Sequence, residues 1–139
     1  MADRTERQMR RADWQERFAA YVRARLGMPF CWGSNDCCTF AAGAVAVITD
    51  SDPMADVLAY DTALAAGRLI EEGGGLHALA TSLLGQPVPP LMAAVGDVVL
   101  LANDGRDLLG ICNGVNAIAP GPDGLVALEM TAVFAAWKI

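Results

Sequence analysis

Residues 29–50 read PFCWGSNDCCTFAAGAVAVITD, and the rest of the chain is best approached from this segment. Pro29 and the small polar turn Gly33-Ser34-Asn35-Asp36 lead into two adjacent cysteines, Cys37 and Cys38. Cys37, Phe40, Ala41, Ala44, Val45 and Ile48 then fall on one stripe, which predicts a helix from about Asn35 or Asp36 to Ile48. Its alanine and glycine content suits close packing against a sheet. Two readings compete for the cysteines. A thiol at a helix N-terminus gains acidity from unpaired N–H groups and the macrodipole, which places Cys37 as a nucleophile. A free cysteine is equally a good small core residue.

Upstream, DWQERFAAYVRARLG (13–27) carries Asp13 and Glu16 at capping-box spacing, with Trp14, Phe18, Tyr21, Val22 and Leu26 on one face. Gly27 is expected to close this helix, and Pro29 forbids its continuation. Downstream, Pro53 suggests one helical turn, followed by a helix from about Asp61 to Glu72 that Gly73 to Gly75 stop. LHALATSLLG (76–85) reads as a short helix with Leu76, Leu79, Ala80 and Leu83 inward. After a loop marked by Pro87, Pro89 and Pro90 the pattern changes. GDVVLLA, LLGICNG, VNAIAPG and GLVALEM are short β-rich runs separated by NDGRD, NG and GPDG turns, and VFAAWKI reads as a last strand or a docking segment. Helices first and an antiparallel meander second make the fold α+β, with the cysteine-bearing helix on the sheet.

A chain of 139 residues suits one domain, here taken as 13–139 behind a charged arm at 1–12. At 54% hydrophobic residues and a mean hydropathy of +0.33 it is more apolar than an ordinary soluble domain. No apolar run reaches the roughly 20 residues of a membrane span, and the charged beginning argues against a secretory leader. Docking into a larger assembly would cover the excess apolar surface. Seven arginines and four acids fall in the first 25 positions, against three basic and twelve acidic residues in the remainder. A basic arm can bind nucleic acid or an acidic protein face, but a solvated, partly frayed leader accounts for it more simply. The acidic body argues against nucleic acid as the main ligand.

Four cysteines without a leader suggest reduced thiols. No C-x-x-C pair is present, so a metal site would have to gather Cys31, Cys37, Cys38 and Cys112 from afar. Cysteine catalysis needs a base, normally histidine held by a third polar group. The chain has one histidine, His77, beside rather than on the apolar stripe of its helix, where a surface residue belongs.

The segment 29–53, followed by the GDVVLL and LGICNG runs, resembles the papain-like NlpC-type cell-wall cysteine peptidases. More closely, it resembles small phage and prophage proteins related to them and encoded among tail genes beside the tail hub. The resemblance runs from Trp14 to Trp137. It implies that Asp36 and Cys37 correspond to the aspartate-cysteine pair opening the central helix, with Cys37 at the nucleophile's place. It also implies that the base histidine's place on the later strand is taken by Leu108, which cannot accept a proton. The expectation is therefore a degenerate peptidase-like domain in a virion tail tip, docked on hub proteins, with no cofactor. The alternative is an active peptidase or amidase acting on peptidoglycan peptides during DNA entry, with His77 the one candidate base. Trp14 and Trp137, near the two ends of the domain, are candidate interface residues, although core or edge packing explains them equally. Trp32 is expected to wedge the turn or line a groove, and Asp97 to open a strand.

Overall fold

The structure, a computed structural model, describes residues 9–139. Four helices come first: α1 (Trp14–Arg25), α2 (Cys37–Thr49), α3 (Ala63–Glu72) and α4 (Leu76–Leu84). Five strands follow: β1 (Val98–Asn103), β2 (Arg106–Cys112), β3 (Asn116–Gly121), β4 (Gly124–Glu129) and β5 (Val133–Trp137). All pair antiparallel in the order β4-β3-β2-β1-β5, so the meander runs outward from β1 and β5 returns to β1's free side. The fold is α+β, as the pattern of periods required.

VVLL in β1 is buried on both faces, which is why it reads as a continuous apolar run rather than an alternation. Val98 and Leu100 meet Phe40, Ala44, Val45 and Ile48 of α2 in the main core. Val99 and Leu101 face the other way, into a smaller cluster with Cys112, Ala117, Val133 and Ala136. The loop residues Val88 and Ala93, with Leu128, Met130 and Ala132, cover that second face. Val88 also pairs with Ala136 through both backbone hydrogen bonds, which closes the β5 edge. Among the described residues no helix is long and apolar enough to cross a membrane.

Helix α1 packs on α2 through a glycine. A Cβ on Gly43 would lie 2.2 Å from the Tyr21 hydroxyl, so only glycine lets that ring approach. The hydroxyl donates to the Phe40 carbonyl at 2.8 Å, and the Tyr21 and Phe40 rings stack with centroids 5.5 Å apart.

Several local expectations need correction. Asp13 does not cap α1; its carboxylate pairs with Arg11 at 3.0 Å. The helix ends at Arg25, before Gly27, and the Leu26 carbonyl accepts from the Leu125 N–H of β4. Pro53 opens a turn rather than helix, and α3 starts at Ala63 because Thr62 caps it by accepting from the Ala65 N–H.

The end of the charged arm is built into the domain rather than frayed. The Arg11 N–H donates to the Ile48 carbonyl, and its guanidinium pairs with Asp50. Arg10 donates to the carbonyls of Ile139 and Val95 and to Asp97, and its guanidinium lies 4.2 Å from the Trp14 ring centre. The rest of the predicted arm, residues 1–8, lies outside the described residues. Asp97 is fully buried and joins Arg10 to Lys138 while accepting from the Ala94 and Ile139 N–H groups, so it fastens the segment before α1 and the residues after β5 to the start of β1. Trp137 is also fully buried, in the main core, and offers no surface to a partner. Trp14 is half-buried against the same core.

Candidate active site

The turn before α2 is fixed by hydrogen bonds that its polar sequence supplies. Asn35 is buried; its amide donates to the carbonyls of Met28 and Pro29, and its oxygen accepts from Arg25. Asp36 is the N-cap. Its carboxylate accepts from the Thr39 and Gly33 N–H groups at 2.9 and 2.8 Å, and the Thr39 hydroxyl accepts from the Asp36 N–H in return. Gly33 has φ +85°, and a Cβ there would lie 1.9 Å from the Tyr60 carbonyl oxygen. Glycine thus lets the 53–60 loop lie against the turn, which brings Tyr60 to Asp36. Burial, first, and then the neighbouring Asp36 carboxylate and the cysteines push the acidity of the Tyr60 hydroxyl far down. Asp36 is thereby committed to the cap and to Tyr60, which makes it a positioning group rather than a proton carrier.

Cys37 follows in the first turn of α2 and is half-buried. Its thiol is held below the ordinary value, first by a hydrogen bond with the Cys38 side chain and further by the Leu109 and Cys38 N–H groups. Burial and the charge of Asp36 work against this without reversing it. Cys38 is displaced strongly upward, by its bond to Cys37, by burial and by the charges of Cys37 and Asp36. Of the two, Cys37 is therefore the more acidic thiol, and Cys38 the one that holds its proton.

Both sulfurs face a partly open cavity of ≈ 130 Å³ between α2, α3, α4 and the 53–60 loop. Its walls are almost wholly apolar, with Val45, Val57, Leu69, Ile70, Ala80 and Leu83 among them. Its polar lining groups are Asp36, the two cysteines, Tyr60 and Asp107, and Trp32 stands at the same site, edge-on to Phe30 with centroids 4.7 Å apart.

The sequence placed the missing base at Leu108, and the sheet corrects this. Leu109 and Ile111 lie in the α2-facing core, whereas Leu108 and Cys112 belong to the cluster on the opposite face. Strand residues alternate faces, so Leu108 points away from Cys37. The residues of β2 that share the thiol's cavity are Leu109 and Asp107. His77 does not replace the base. It is exposed on α4, outside the lining of the Cys37 cavity, and its ring meets Trp137 edge-on at 5.5 Å. The four cysteines are not gathered either. Cys112 lies buried across the sheet from Cys37 and Cys38, and Cys31 is exposed with its sulfur toward the Trp32 carbonyl. Among the described residues no group of three or more His, Cys, Asp or Glu side chains could hold a metal ion.

Chemically, the site offers a thiol more acidic than an ordinary cysteine, with no imidazole among the groups that line its cavity. The neighbouring protons, on Cys38 and Tyr60, sit on groups whose acidity is suppressed, so both are poor general acids near neutrality. Tyr60 and the Leu109 N–H were not foreseen from sequence. Strict alternation along RDLLGIC was the available signal for Leu109; nothing local marks Tyr60.

A family model described as a domain of unknown function, DUF6950, matches residues 9–139. No curated protein and no solved structure matches the chain. Its match spans the capped cysteine helix, the cavity and the whole sheet, and the chain belongs to the DUF6950 family.

Proposed function

We propose that this protein is a structural component of a phage or gene-transfer-particle tail tip, a papain-like NlpC-type domain that has lost its peptidase mechanism and docks on the tail hub. The observation that carries the loss is the surroundings of Cys37: another thiol, the Tyr60 hydroxyl and the carboxylates of Asp36 and Asp107 line the cavity, and the one histidine lies outside it. A cysteine peptidase uses its base twice, to activate the nucleophile and, as the conjugate acid, to protonate the leaving amine. The first task is met here by local hydrogen bonds, and the second has no competent donor. The tail assignment rests on the resemblance of residues 14–137 to tail-gene products. Exposed apolar side chains such as Leu91, 99% exposed, and Phe134, 47% exposed, support docking. Mass spectrometry of purified tails tests it: the protein is expected in stoichiometric amount, and tails that lack it refute the assignment.

The raised acidity of the Cys37 thiol favours one second reading, an active peptidase or amidase on cell-wall peptides. That reading requires muropeptide cleavage that disappears in Cys37→Ala.

A further inference from the structure

The cavity beside Cys37 has a size and a chemistry of its own. At ≈ 130 Å³ it is close to the apolar protein cavities of about 150 Å³ that stay dry and bind benzene. Its apolar walls come from three helices, and Asp36, Cys37, Cys38 and Tyr60 gather around the first turn of α2. A peptide backbone would bring several amide groups that these walls cannot satisfy. A short hydrocarbon or aromatic group brings none.

We propose that the cavity is an acyl pocket: it seats a benzene-sized aliphatic or aromatic group whose carbonyl lies against the Cys37 sulfur, and the thiol accepts that acyl group from an activated ester or thioester. This goes beyond a structural role and does not depend on it. The step balances with solvent as the proton acceptor. The Cys37 thiol gives its proton to water or buffer, its sulfur adds to the carbonyl carbon and a C–S bond forms. The bond from that carbon to the leaving oxygen or sulfur then breaks, and the electron pair departs with an anion of low basicity. An amide does not react in this way, because its nitrogen must be protonated as it leaves. Release of the acyl group requires water to lose a proton, and no imidazole lines the cavity to take it. The acyl-thioester therefore accumulates.

The test uses p-nitrophenyl butyrate on the full chain carrying Cys31→Ser, which removes the exposed thiol. One equivalent of p-nitrophenolate per chain is expected in a burst, followed by release slower by about 100-fold or more, the scale of a missing general base. Intact mass should show one butyryl group and peptide mapping should place it on Cys37, with no burst in Cys37→Ser. Butyrate should react faster than acetate, and added benzene should slow butyrylation of the otherwise unaltered chain. Filling the pocket with Ala80→Leu should cut the butyrate burst about tenfold while Cys37 still reacts with iodoacetamide. Equal rates for acetate and butyrate, indifference to benzene, or label on a different cysteine would overturn the proposal. Continuous turnover without a burst would also overturn it, because it would mean that deacylation is catalysed.

Discussion

The Leu109 backbone N–H faces the Cys37 thiol and helps hold it below its ordinary value, while Leu108, its neighbour in β2, belongs to the core on the opposite face of the sheet. A strand that would bring a histidine to a working cysteine peptidase here brings a backbone amide. This contact stabilises a thiolate but cannot relay a proton, so nucleophile activation and proton transfer are separated at this site.

The thiolate depends first on Cys38. Cys38→Ala removes the largest cause of the lowered Cys37 value, so the Cys37 titration is expected to move up toward that of an ordinary thiol. The pH dependence of iodoacetamide alkylation in a Cys31→Ser background reads this directly, and an unchanged profile would show that Cys38 does not hold the charge.

Stability should fall in alkali, and the sign follows from the proton count. Cys38 and Tyr60 have folded values raised above ordinary values of 9.0 and 10.0, so they favour the folded state fully below those values. As pH rises past them, the unfolded chain loses its protons first and the folded state loses that advantage. Cys37 is displaced downward and acts oppositely, adding stability as pH climbs from its depressed value toward 9.0. Urea melts above pH 9 should therefore show a decline that is shallower in Tyr60→Phe than in the parent.

Gly33→Ala should destabilise the fold by about 2–4 kcal/mol, combining left-handed backbone strain with a clash. The clashing atom is the backbone oxygen of Tyr60, which cannot rotate aside as a side chain would. The same variant should shift the Tyr60 fluorescence titration toward ordinary values, since the loop can no longer lie against Asp36. Loss of stability without that shift would contradict the account of the loop.

Asp97→Ala should cost about 3 kcal/mol in urea denaturation, because two backbone N–H groups and two cations lose a buried carboxylate. Arg10→Ala should cost less, since its side chain is 21% exposed and Lys138 remains. Equal effects would mean that the buried carboxylate matters only through Arg10.

The order of elements was legible because helical and strand periods are strong in this chain, and the meander was marked by its turns. Asp36 and Cys37 were legible as a helix start from the Gly-Ser-Asn-Asp turn. The facing of β2 was lost to motif alignment, which counted back from Gly110 to Leu108; the alternation that buries Ile111 and Leu109 together carried the answer. Tyr60 was beyond reach because its place depends on a tertiary approach over Gly33, with no local pattern in DVLAYD. Asp13 had capping spacing, but Arg11, two residues away, took its carboxylate. Trp137 lay near a chain end and suggested an edge, yet the pairing of β5 with β1 carries it into the core.

Muropeptide digestion tests the loss of peptidase chemistry most directly. Purified protein, Cys37→Ala and His77→Ala are each incubated with cell-wall muropeptides, and the products are separated by liquid chromatography and mass spectrometry. The account predicts three identical traces with no new amine or carboxylate termini. Cleavage by the unaltered chain that vanishes in Cys37→Ala would contradict it, and simultaneous loss in His77→Ala would identify the base that the site lacks.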